Sequence, residues 1–471
     1  MFCCLSACGN PAVPAISETE RYPAGQGSVS TAPFPRFDLP LANLPQADKP
    51  LFYAGKALAH QPWITAPTIT DARDGLGPLF NARTCLGCHV KGSKGFIPQD
   101  DKTALFSALV RVSIAGQHLK NGVVNEPVYG DQLQTQSTSL THRFRNARSF
   151  TARSEAVKPE ATIYLQWTAH TFTYPDQQQV ELRAPKLDIR QLNYGPLHPQ
   201  TKFSLRNAPA IHGMGLLEAI DQRDINALQD PDDKNGDAIS GRINMVWDPV
   251  TQTTQPGRFG LKASRPNLQT TIAGAFANDI GISNPLFPSQ PCTTSQMHCT
   301  LQVNGNNTDG FELPQDLLDL VVNFNRNLAV PKRSAEQYKN TQNGRALFYQ
   351  TGCANCHTPR FVTPQSAALP HLSNQVIWPY SDLLLHDMGK ALADNRPDFI
   401  ASGSEWRTPP LWGNGLQQPM NGYQQLMHDG RAQSVEEAIL WHGGEAQNTK
   451  QKFTELNKKE RQQLIKFVES L

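Results

Sequence analysis

The chain has 471 residues, 39% hydrophobic and 18% charged, which is an ordinary globular composition. Lys and Arg total 43 against 41 for Asp and Glu without a basic block, so nucleic acid binding is not supported. No run approaches the roughly 18 apolar residues that a transmembrane helix needs. The length predicts two or three domains.

The chain begins MFCCLSACGN, in which Leu5-Ser6-Ala7-Cys8 matches the lipidation box of bacterial lipoproteins. We interpret residues 1–8 as the remnant of a lipoprotein signal, because the stretch before Cys8 is short and carries no positive charge. A disordered Cys-rich start is the alternative. The signal predicts a periplasmic protein that is anchored to the bacterial membrane by a lipid on Cys8. Residues 9–45, rich in Pro, Ala and Ser, are predicted to be a flexible tether.

From residue 46 the sequence predicts a mainly α fold with irregular segments and short β insertions. We place an N-terminal domain with large insertions at 46–334 and a C-terminal domain at 335–471. Hydrophobic periodicity and turn signals predict a helix from about residue 51, another after Pro209, one over Leu313–Leu328 and an amphipathic closing helix over 453–471. Strands are predicted at Ala108–Ser113, Thr162–Trp167 and Val180–Leu182.

The figure Cys-x-x-Cys-His occurs twice, as NARTCLGCH (81–89) and YQTGCANCH (349–357), in a chain with only 9 cysteines. Two thiols at this spacing can each add to one vinyl group of a haem, and the adjacent His can then ligate the iron. The sequence therefore predicts two covalently bound haem c groups. Their predicted attachment and iron-ligating residues are Cys85, Cys88, His89, Cys353, Cys356 and His357.

A single zinc site is the alternative for these cysteines, because their four thiolates could form one tetrahedral ligand set. That alternative leaves the His after each pair unexplained, and it fits poorly with export. The remaining pair in PCTTSQMHC, Cys292 and Cys299, is predicted to form a local disulfide in an oxidising compartment, with free buried thiols as the alternative.

A second iron ligand is predicted on the helix that begins at Ser434. Ser434 and Glu437 have the spacing of a capping box, and the glycines after His442 end the helix. His442 shares the apolar face of this helix, so it is a candidate axial ligand; a hydrogen-bonded core His is the alternative. Met388, Met420 and Met427 are rival ligands. For the first haem, His118 and His212 are weak candidates, and an open iron site is equally compatible with the sequence.

A calcium-loop pattern occurs at 233–241, where oxygen ligands alternate along the chain. Asp233, Asn235 and Asp237 would contribute side chains and Ile239 its carbonyl. The loop departs from the usual pattern at Ala238, where Gly is preferred. An Asx-rich surface turn is the alternative to a Ca²⁺ site.

Several segments together resemble the di-haem oxidoreductase family, whose proposed activity is that of a peroxidase. The family is distantly similar to bacterial di-haem cytochrome c peroxidases and to the di-haem enzyme that matures methylamine dehydrogenase. The resemblance covers about residues 50 to 471. It rests on the segments DGLGPLFNARTCLGCH, YGDQLQ, GMGLLEAI, NGDAISGR, GRFGLKAS, YSDLLLHDMG, EWRTPPLWG and HDGRAQSVEEAILWHGGEA.

The resemblance implies two cytochrome c-like domains with one haem c each. It also implies that peroxide reacts at the His89 haem while electrons arrive through the His357 haem. In such enzymes the sixth ligand of the C-terminal haem lies on the helix after a His-x-Gly motif, which here places His442 after His428-Asp429-Gly430. The related enzymes use Met or Tyr there. A carboxylate serves as their acid–base catalyst, and Glu218 in GMGLLEAI is the candidate; a helix-surface or helix-capping Glu is the alternative.

The expected function is therefore that of a di-haem c-type peroxidase that reduces hydrogen peroxide. Its electron donor would be a small redox protein or a quinol-linked cytochrome. One alternative is an electron-transfer cytochrome without turnover of its own. Another is a di-haem oxidase that modifies a partner protein.

Overall fold

The computed structural model describes residues 13–66, 68–69, 73–138, 157–302 and 304–471, so the predicted lipidation site at Cys8 lies outside the described residues. The helices are α1 Lys49–His60, α2 Cys85–Cys88, α3 Met214–Glu218, α4 Gln222–Asn226, α5 Leu268–Ala275, α6 Met297–Thr300, α7 Gln315–Arg326, α8 Ala335–Asn340, α9 Gln342–Thr351, α10 Gln417–Asn421, α11 Val435–Trp441, α12 Gln447–Glu455 and α13 Lys458–Glu469. Within the described ranges, none of the helices has the length and apolar character to cross a membrane.

The strands form antiparallel pairs rather than one continuous sheet. The pairs are β1 Leu79–Phe80 with β3 Gln136–Ser137, β2 Ala108–Ser113 with β6 Lys202–Asn207, β4 Thr162–Thr173 with β5 Gln179–Arg190, β7 Met245–Asp248 with β8 Thr253–Pro256, β9 Phe361–Val362 with β10 Val376–Ile377, and β11 Leu385–Asp387 with β12 Glu405–Arg407. The strand predicted at Ala108–Ser113 is confirmed as β2.

The β4–β5 hairpin corrects the expectation of short β insertions, because each of its strands has 12 residues. Its base belongs to a hydrophobic cluster with β2, while its tip packs on the C-terminal helices. At the tip, the Tyr174 hydroxyl donates to Glu436 over 2.9 Å and the Arg461 guanidinium lies 3.9 Å from the Tyr174 ring centre. The hairpin therefore links the middle of the chain to its C-terminal end.

The helix predicted over Leu313–Leu328 is confirmed as α7, Gln315–Arg326, which packs against α1. The contact is so close that a Cβ on Gly55 of α1 would lie 1.9 Å from the Leu320 carbonyl oxygen, so only glycine fits there. The buried face of α7 contains Leu318, Val321 and Phe324, whereas Leu317 is half-buried.

The two largest hydrophobic clusters do not divide at the predicted boundary of 334/335. The first contains α1, α5 and α7 but also buried side chains from beyond residue 360, among them Phe361, Ile377 and Trp412. The second contains α9, α11 and α13 together with the hairpin tip. Residues from both halves of the chain thus share one interior, and two separate cytochrome c-like domains stay a prediction.

The segment predicted as a flexible tether is packed into the protein over the part that the structure describes. Ala24, Phe37 and Leu41 are each at most 1% exposed, and Glu20 is completely buried. Composition was misleading here because the Pro and Ala residues lie beside single large apolar side chains that reach the interior. The burial of these four residues contradicts a flexible tether where they lie, and residues 9–12 of the predicted tether lie outside the described residues.

Two smaller predictions have clear outcomes. The disulfide between Cys292 and Cys299 is confirmed, with 5.7 Å between the two Cα atoms. The closing helix is interrupted, because Leu456 separates α12 from α13 and Asn457 begins α13 with a complete capping box to Glu460. That box was visible in the sequence as an Asn with a Glu three residues later.

Candidate functional site

The second Cys-x-x-Cys-His motif lies at the end of α9. Gly352 ends the helix with a φ of +93°, a left-handed conformation that favours glycine, and a 3₁₀ turn over Cys353–Asn355 follows. The His357 backbone N–H donates to the Cys353 carbonyl over 3.0 Å. Cys353, Cys356 and His357 all face one large cavity, so the structure brings these three predicted residues together.

The His357 imidazole is oriented by the backbone. Its Nδ1 lies 2.9 Å from the Tyr380 carbonyl oxygen, and because a carbonyl can only accept, Nδ1 carries the proton. Burial lowers the pKa of His357 to about 4, so the ring is neutral at pH 7. Its Nε2 therefore keeps a lone pair for a metal, in the arrangement that orients most metal-bound histidines.

His442 faces the same cavity from the C-terminal end of α11. Val435, Ala438 and Ile439 line this cavity too, which confirms that His442 shares their apolar face. His442 itself caps the helix instead of lying within it, and its Nδ1 donates to the Ala438 carbonyl over 2.6 Å. Burial lowers the pKa of His442, and its proximity is one of the smaller causes that lower the pKa of His357.

The N-terminus of α11 confirms the predicted cap in part. The Ser434 hydroxyl accepts the Glu437 N–H over 3.1 Å. The Glu437 carboxylate accepts from the N–H of Gln433 rather than from Ser434, so the box closes one residue earlier than predicted. The N-cap at Ser434, where the helix that carries His442 begins, was therefore predictable from the sequence.

The cavity contains about 2040 Å³ of space between atoms, including its mouth. Because that volume includes open solvent, the chemistry of the lining, and not the size, indicates what the cavity can hold. Apolar side chains dominate its wall, with Met388, Met427 and Trp406 among them, and Trp406 stacks on His428 with ring centres 3.6 Å apart. The thiols, two neutral imidazoles and apolar walls together fit a haem.

A buried ion cluster adjoins this site. His386 donates from Nε2 to Asp382 over 2.9 Å and from Nδ1 to Glu445 over 2.6 Å, and its Nδ1 lies 3.8 Å from the Cys356 sulfur. Burial alone would lower the pKa of His386, but Asp382 and its other partners raise it well above the usual value. Both ring nitrogens are thus occupied by carboxylates, which makes a cationic imidazolium and disfavours metal binding.

The zinc alternative does not fit this geometry. In the part of the chain that the structure describes, Cys356, Asp382 and His386 form the one group of metal-binding side chains whose ligand atoms lie within 4.8 Å of one another. The sulfurs of the two motifs do not meet as a single ligand set. The four motif cysteines are free thiols, so each pair is available to its own partner.

The first motif repeats the local geometry of the second. The Thr84 hydroxyl caps α2 by accepting the Gly87 N–H over 2.7 Å, and the His89 N–H donates to the Cys85 carbonyl over 2.9 Å. His89 Nδ1 lies 2.6 Å from the Pro209 carbonyl oxygen, and burial lowers the pKa of His89. Its Nε2 is therefore also free to ligate, so this donor set fits a second haem.

Asp279, which sequence reasoning missed, lies beside the first motif. It belongs to a π-helical turn over Phe276–Ile280, and such turns are frequent at functional sites. Its Oδ1 accepts from Gln132 Nε2 over 2.9 Å. Its charge contributes, after burial, to raising the pKa of both Cys85 and Cys88 to about 12. Burial raises the pKa of Asp279 itself in spite of nearby Arg111.

A buried ionic network lies behind Asp279. Burial alone would lower the pKa of Arg111, but the nearby charges of Asp131, Asp279 and Asp398 raise it. Asp398 in turn pairs with Arg206 over 3.0 Å. No local pattern in the sequence marks Asp279, because the π turn and the charges around it come from distant segments. The fragment YGDQLQ, which contains Gln132, was the one available signal.

Glu218, the predicted acid–base catalyst, is held in structural contacts. Its Oε1 accepts the Leu268 N–H at the start of α5 over 2.8 Å, and its Oε2 accepts from Arg326 Nε over 2.8 Å. Both carboxylate oxygens are thus engaged away from the two motifs. The contacts support the helix-capping interpretation.

The 233–241 loop is built from Asx turns. Asp233 accepts from the Ala238 N–H over 3.2 Å, Asn235 from Asp237 over 2.9 Å, and Asp237 from Ile239 over 3.0 Å. These contacts support the surface-turn alternative, and calcium binding there stays a prediction. The loop contacts the ion cluster beside the second motif, because the N–H of Ser240 in this loop donates to Glu445 over 3.1 Å.

The two weak candidates for a ligand of the first haem make other contacts. His212 faces the large cavity of the second motif, where its Nε2 lies 3.0 Å from the Trp412 carbonyl and its ring stacks 3.9 Å from Phe37. His118 is exposed, and its Nδ1 accepts the Asn121 N–H over 3.2 Å. Neither contact pattern supports iron ligation at His89.

Two separate Cys-Cys-His donor sets, each with a neutral, oriented imidazole, define a protein built to carry two haem groups. Comparison with known families agrees: residues 18–471 match the family described as "Di-haem oxidoreductase, putative peroxidase". The chain belongs to this di-haem oxidoreductase family, and membership implies two haem groups.

Other comparisons add little. None of the curated proteins matches the chain. Among solved structures, a chain of hydrazine synthase from Kuenenia stuttgartiensis, studied under 20 bar of xenon, is 17% identical over 38% of this chain and 63% of that chain. The TM-score is 0.22, so this similarity supports no conclusion about the fold.

Proposed function

We propose that the protein is a di-haem c-type peroxidase that reduces hydrogen peroxide, with electrons relayed from the C-terminal haem to the N-terminal haem. The proposal rests on a difference in surroundings between the two Cys-x-x-Cys-His motifs, residues 85–89 and 353–357, which we call the first and second anchors. His357 shares its cavity with the oriented His442, whereas His89 lies in the region of the buried, protonatable Asp279.

Covalent attachment follows from the thiols. Each S–H of Cys85, Cys88, Cys353 and Cys356 would add across one haem vinyl group, so that a C–S bond forms and the thiol hydrogen goes to the neighbouring carbon. Burial raises the pKa of the Cys353 thiol to about 11, which keeps it protonated before reaction. The bound haems supply the one-electron redox chemistry that amino acids lack.

Protein side chains would divide the remaining work between the two anchors. Hydrogen peroxide, two electrons and two protons give two water molecules. We assign the proton transfer to Asp279, because burial raises its pKa and Gln132 fixes one of its oxygens. His357 and His442 would both bind the relay iron, with their Nδ1 atoms held by carbonyls.

The proposed setting is the bacterial periplasm, with a lipid anchor on Cys8 and a small redox protein or quinol-linked cytochrome as electron donor. Calcium at 233–241 belongs to the same proposal. Its support is the alternation of oxygen-bearing residues in the sequence.

The main alternative is an electron-transfer cytochrome in which both irons are six-coordinate. The oriented His442 favours it for one haem only. An oxidase that modifies a partner protein is the third candidate, and it requires oxidised products on a protein substrate instead of water from peroxide.

Absorption and EPR spectra of the ferric and half-reduced protein, with peroxide turnover, test the proposal. We expect one low-spin haem and one haem with a high-spin fraction that cyanide removes, together with peroxide consumption. Two purely low-spin haems in every oxidation state would contradict it. The pyridine haemochrome assay separately reports whether two haems are attached.

A further inference from the structure

The buried carboxylate of Glu20 lies in a segment that composition predicted to be a tether. Glu20 belongs to a 3₁₀ turn over Glu18–Arg21 and is completely buried. Its Oε1 lies 3.0 Å from Arg333 Nη1, and its Oε2 lies 2.9 Å from Arg345 Nε. Both guanidinium side chains are 1% exposed, so this is a fully buried ion triad.

The same carboxylate accepts a third hydrogen bond from a residue that orients the C-terminal site. The Tyr380 hydroxyl donates to Glu20 Oε1 over 2.5 Å. The carbonyl oxygen of Tyr380 accepts the proton of His357 Nδ1. Glu20 is therefore connected to the His357 imidazole through one residue, Tyr380.

Tyr380 needs such support because its backbone is strained. Its φ of +54° lies in the left-handed region, which is uncommon and unfavourable for a bulky residue. Ring contacts with Phe348 and Phe467, at centre distances of 5.6 and 5.9 Å, hold the side chain on two sides. The bond to Glu20 fixes its hydroxyl end, and together they aim the carbonyl at His357.

We propose that Glu20 is a positioning residue that sets the reduction potential of the C-terminal haem through Tyr380 and His357. This inference rests on the proposed ligation of that haem by His357. A firmly held carbonyl strengthens the Nδ1 hydrogen bond, which makes the imidazole a better donor to the iron. The negative charge of Glu20 also offsets Arg333 and Arg345, and both effects stabilise the ferric state.

Removing the charge of Glu20 weakens both effects, and each loss raises the reduction potential of the C-terminal haem. Glu20→Gln replaces the carboxylate that two buried guanidinium groups share with a neutral amide, and it weakens the hydrogen bond that holds Tyr380. The ferrous state then gains, and the midpoint potential of the C-terminal haem rises. We expect at least a tenfold change in its ferric-to-ferrous ratio at the wild-type midpoint, which is about 59 mV for a one-electron couple.

The test is a spectroelectrochemical titration of the full-length di-haem protein. The step that disappears in a Cys353→Ala/Cys356→Ala variant identifies the C-terminal haem. Glu18→Gln is the matched control, because Glu18 lies in the same turn and is exposed, and among the described residues its ion pair is with Arg21. The midpoint potential of the C-terminal haem in Glu18→Gln should equal that of the wild type.

Tyr380→Phe is the second variant, since it removes only the hydroxyl and leaves every charge in place. It should fold, and it should raise the same potential by less than Glu20→Gln does. An unchanged C-terminal potential in Tyr380→Phe and in any folded Glu20→Gln protein would overturn the inference while leaving haem ligation intact. Absence of the second haem from the wild type would instead refute the proposed function.

Discussion

The two Cys-x-x-Cys-His anchors share a backbone geometry and differ in what surrounds them. In both, the His Nδ1 donates to a carbonyl from a distant segment, Pro209 for His89 and Tyr380 for His357. The second anchor faces an apolar cavity with His442 in its wall and the His386 ion cluster beside it, whereas the buried carboxylate of Asp279 lies beside the first. The anchor motif therefore fixes how a haem is held, and the environment decides what that haem can do.

The comparison fails at once if either motif does not bind haem. Replacing Cys85 and Cys88, or Cys353 and Cys356, with Ala should each remove one of two haems in the pyridine haemochrome assay. The double Cys292→Ser/Cys299→Ser variant is the matched control, because its sulfurs form the disulfide. Full haem content in either Ala variant would contradict the assignment of that motif.

Replacement of Asp279 tests whether the first anchor is the reactive one. Asp279→Asn keeps the shape but cannot exchange a proton, so we expect the peroxide turnover number to fall by about 10²–10⁴-fold. Glu218→Gln, at a carboxylate held by Arg326, should change turnover little. The opposite ranking of the two variants would return the catalytic role to Glu218.

Replacement of His442 sharpens the other half of the comparison. His442→Ala should convert the C-terminal haem from low to high spin and shift its potential, while leaving the first haem unchanged. His442→Met supplies another ligand and should restore the low-spin spectrum at a higher potential. If the Ala variant keeps the wild-type spectrum and potential, His442 is not an axial ligand.

The charge around the first anchor also makes a prediction for stability. Asp398→Asn leaves Arg206 and Arg396 without their counter-charge, so the free energy of unfolding should fall by about 3–5 kcal/mol. Despite burial, which alone would raise it, Arg206 and the other arginines hold the pKa of Asp398 at about 2. Denaturant unfolding at pH 7 measures the difference, with exposed Asp309→Asn as the control.

The same carboxylate gives that stability a pH dependence. Because its folded pKa lies below the unfolded value of about 3.9, its contribution is complete above about pH 5 and is lost as the pH falls through the folded pKa of about 2. The wild type should therefore lose about 2–3 kcal/mol more than Asp398→Asn between about pH 5 and pH 1. Parallel acid unfolding curves would show that Asp398 does not titrate as described.

Local signals predicted the local parts of the site. The spacing of each motif gave the anchors, and Ser434 with the apolar spacing of α11 gave His442. The N-cap of α13 was also present in the sequence, although its role as a break was missed. These features depend on residues a few positions apart, which is the range over which helix periodicity and capping act.

Long-range contacts could not be predicted in the same way. Asp279 acquires its environment from Gln132 and Arg111, roughly 150 residues earlier, and Glu20 acquires its partners from Arg333 and Arg345. Glu218 looked catalytic because a lone carboxylate in a matching segment carries no mark of its partner. Burial and pairing of charges follow from tertiary structure, and a single sequence does not encode them in any short pattern.

Peroxide turnover by the half-reduced protein tests the central claim most directly, because only then is one haem able to donate while the other reacts. We predict that one equivalent of electrons in the His357 haem activates the protein, that two waters form per peroxide, and that cyanide at the His89 haem stops the reaction. A half-reduced protein with two low-spin haems that leaves peroxide intact would contradict it.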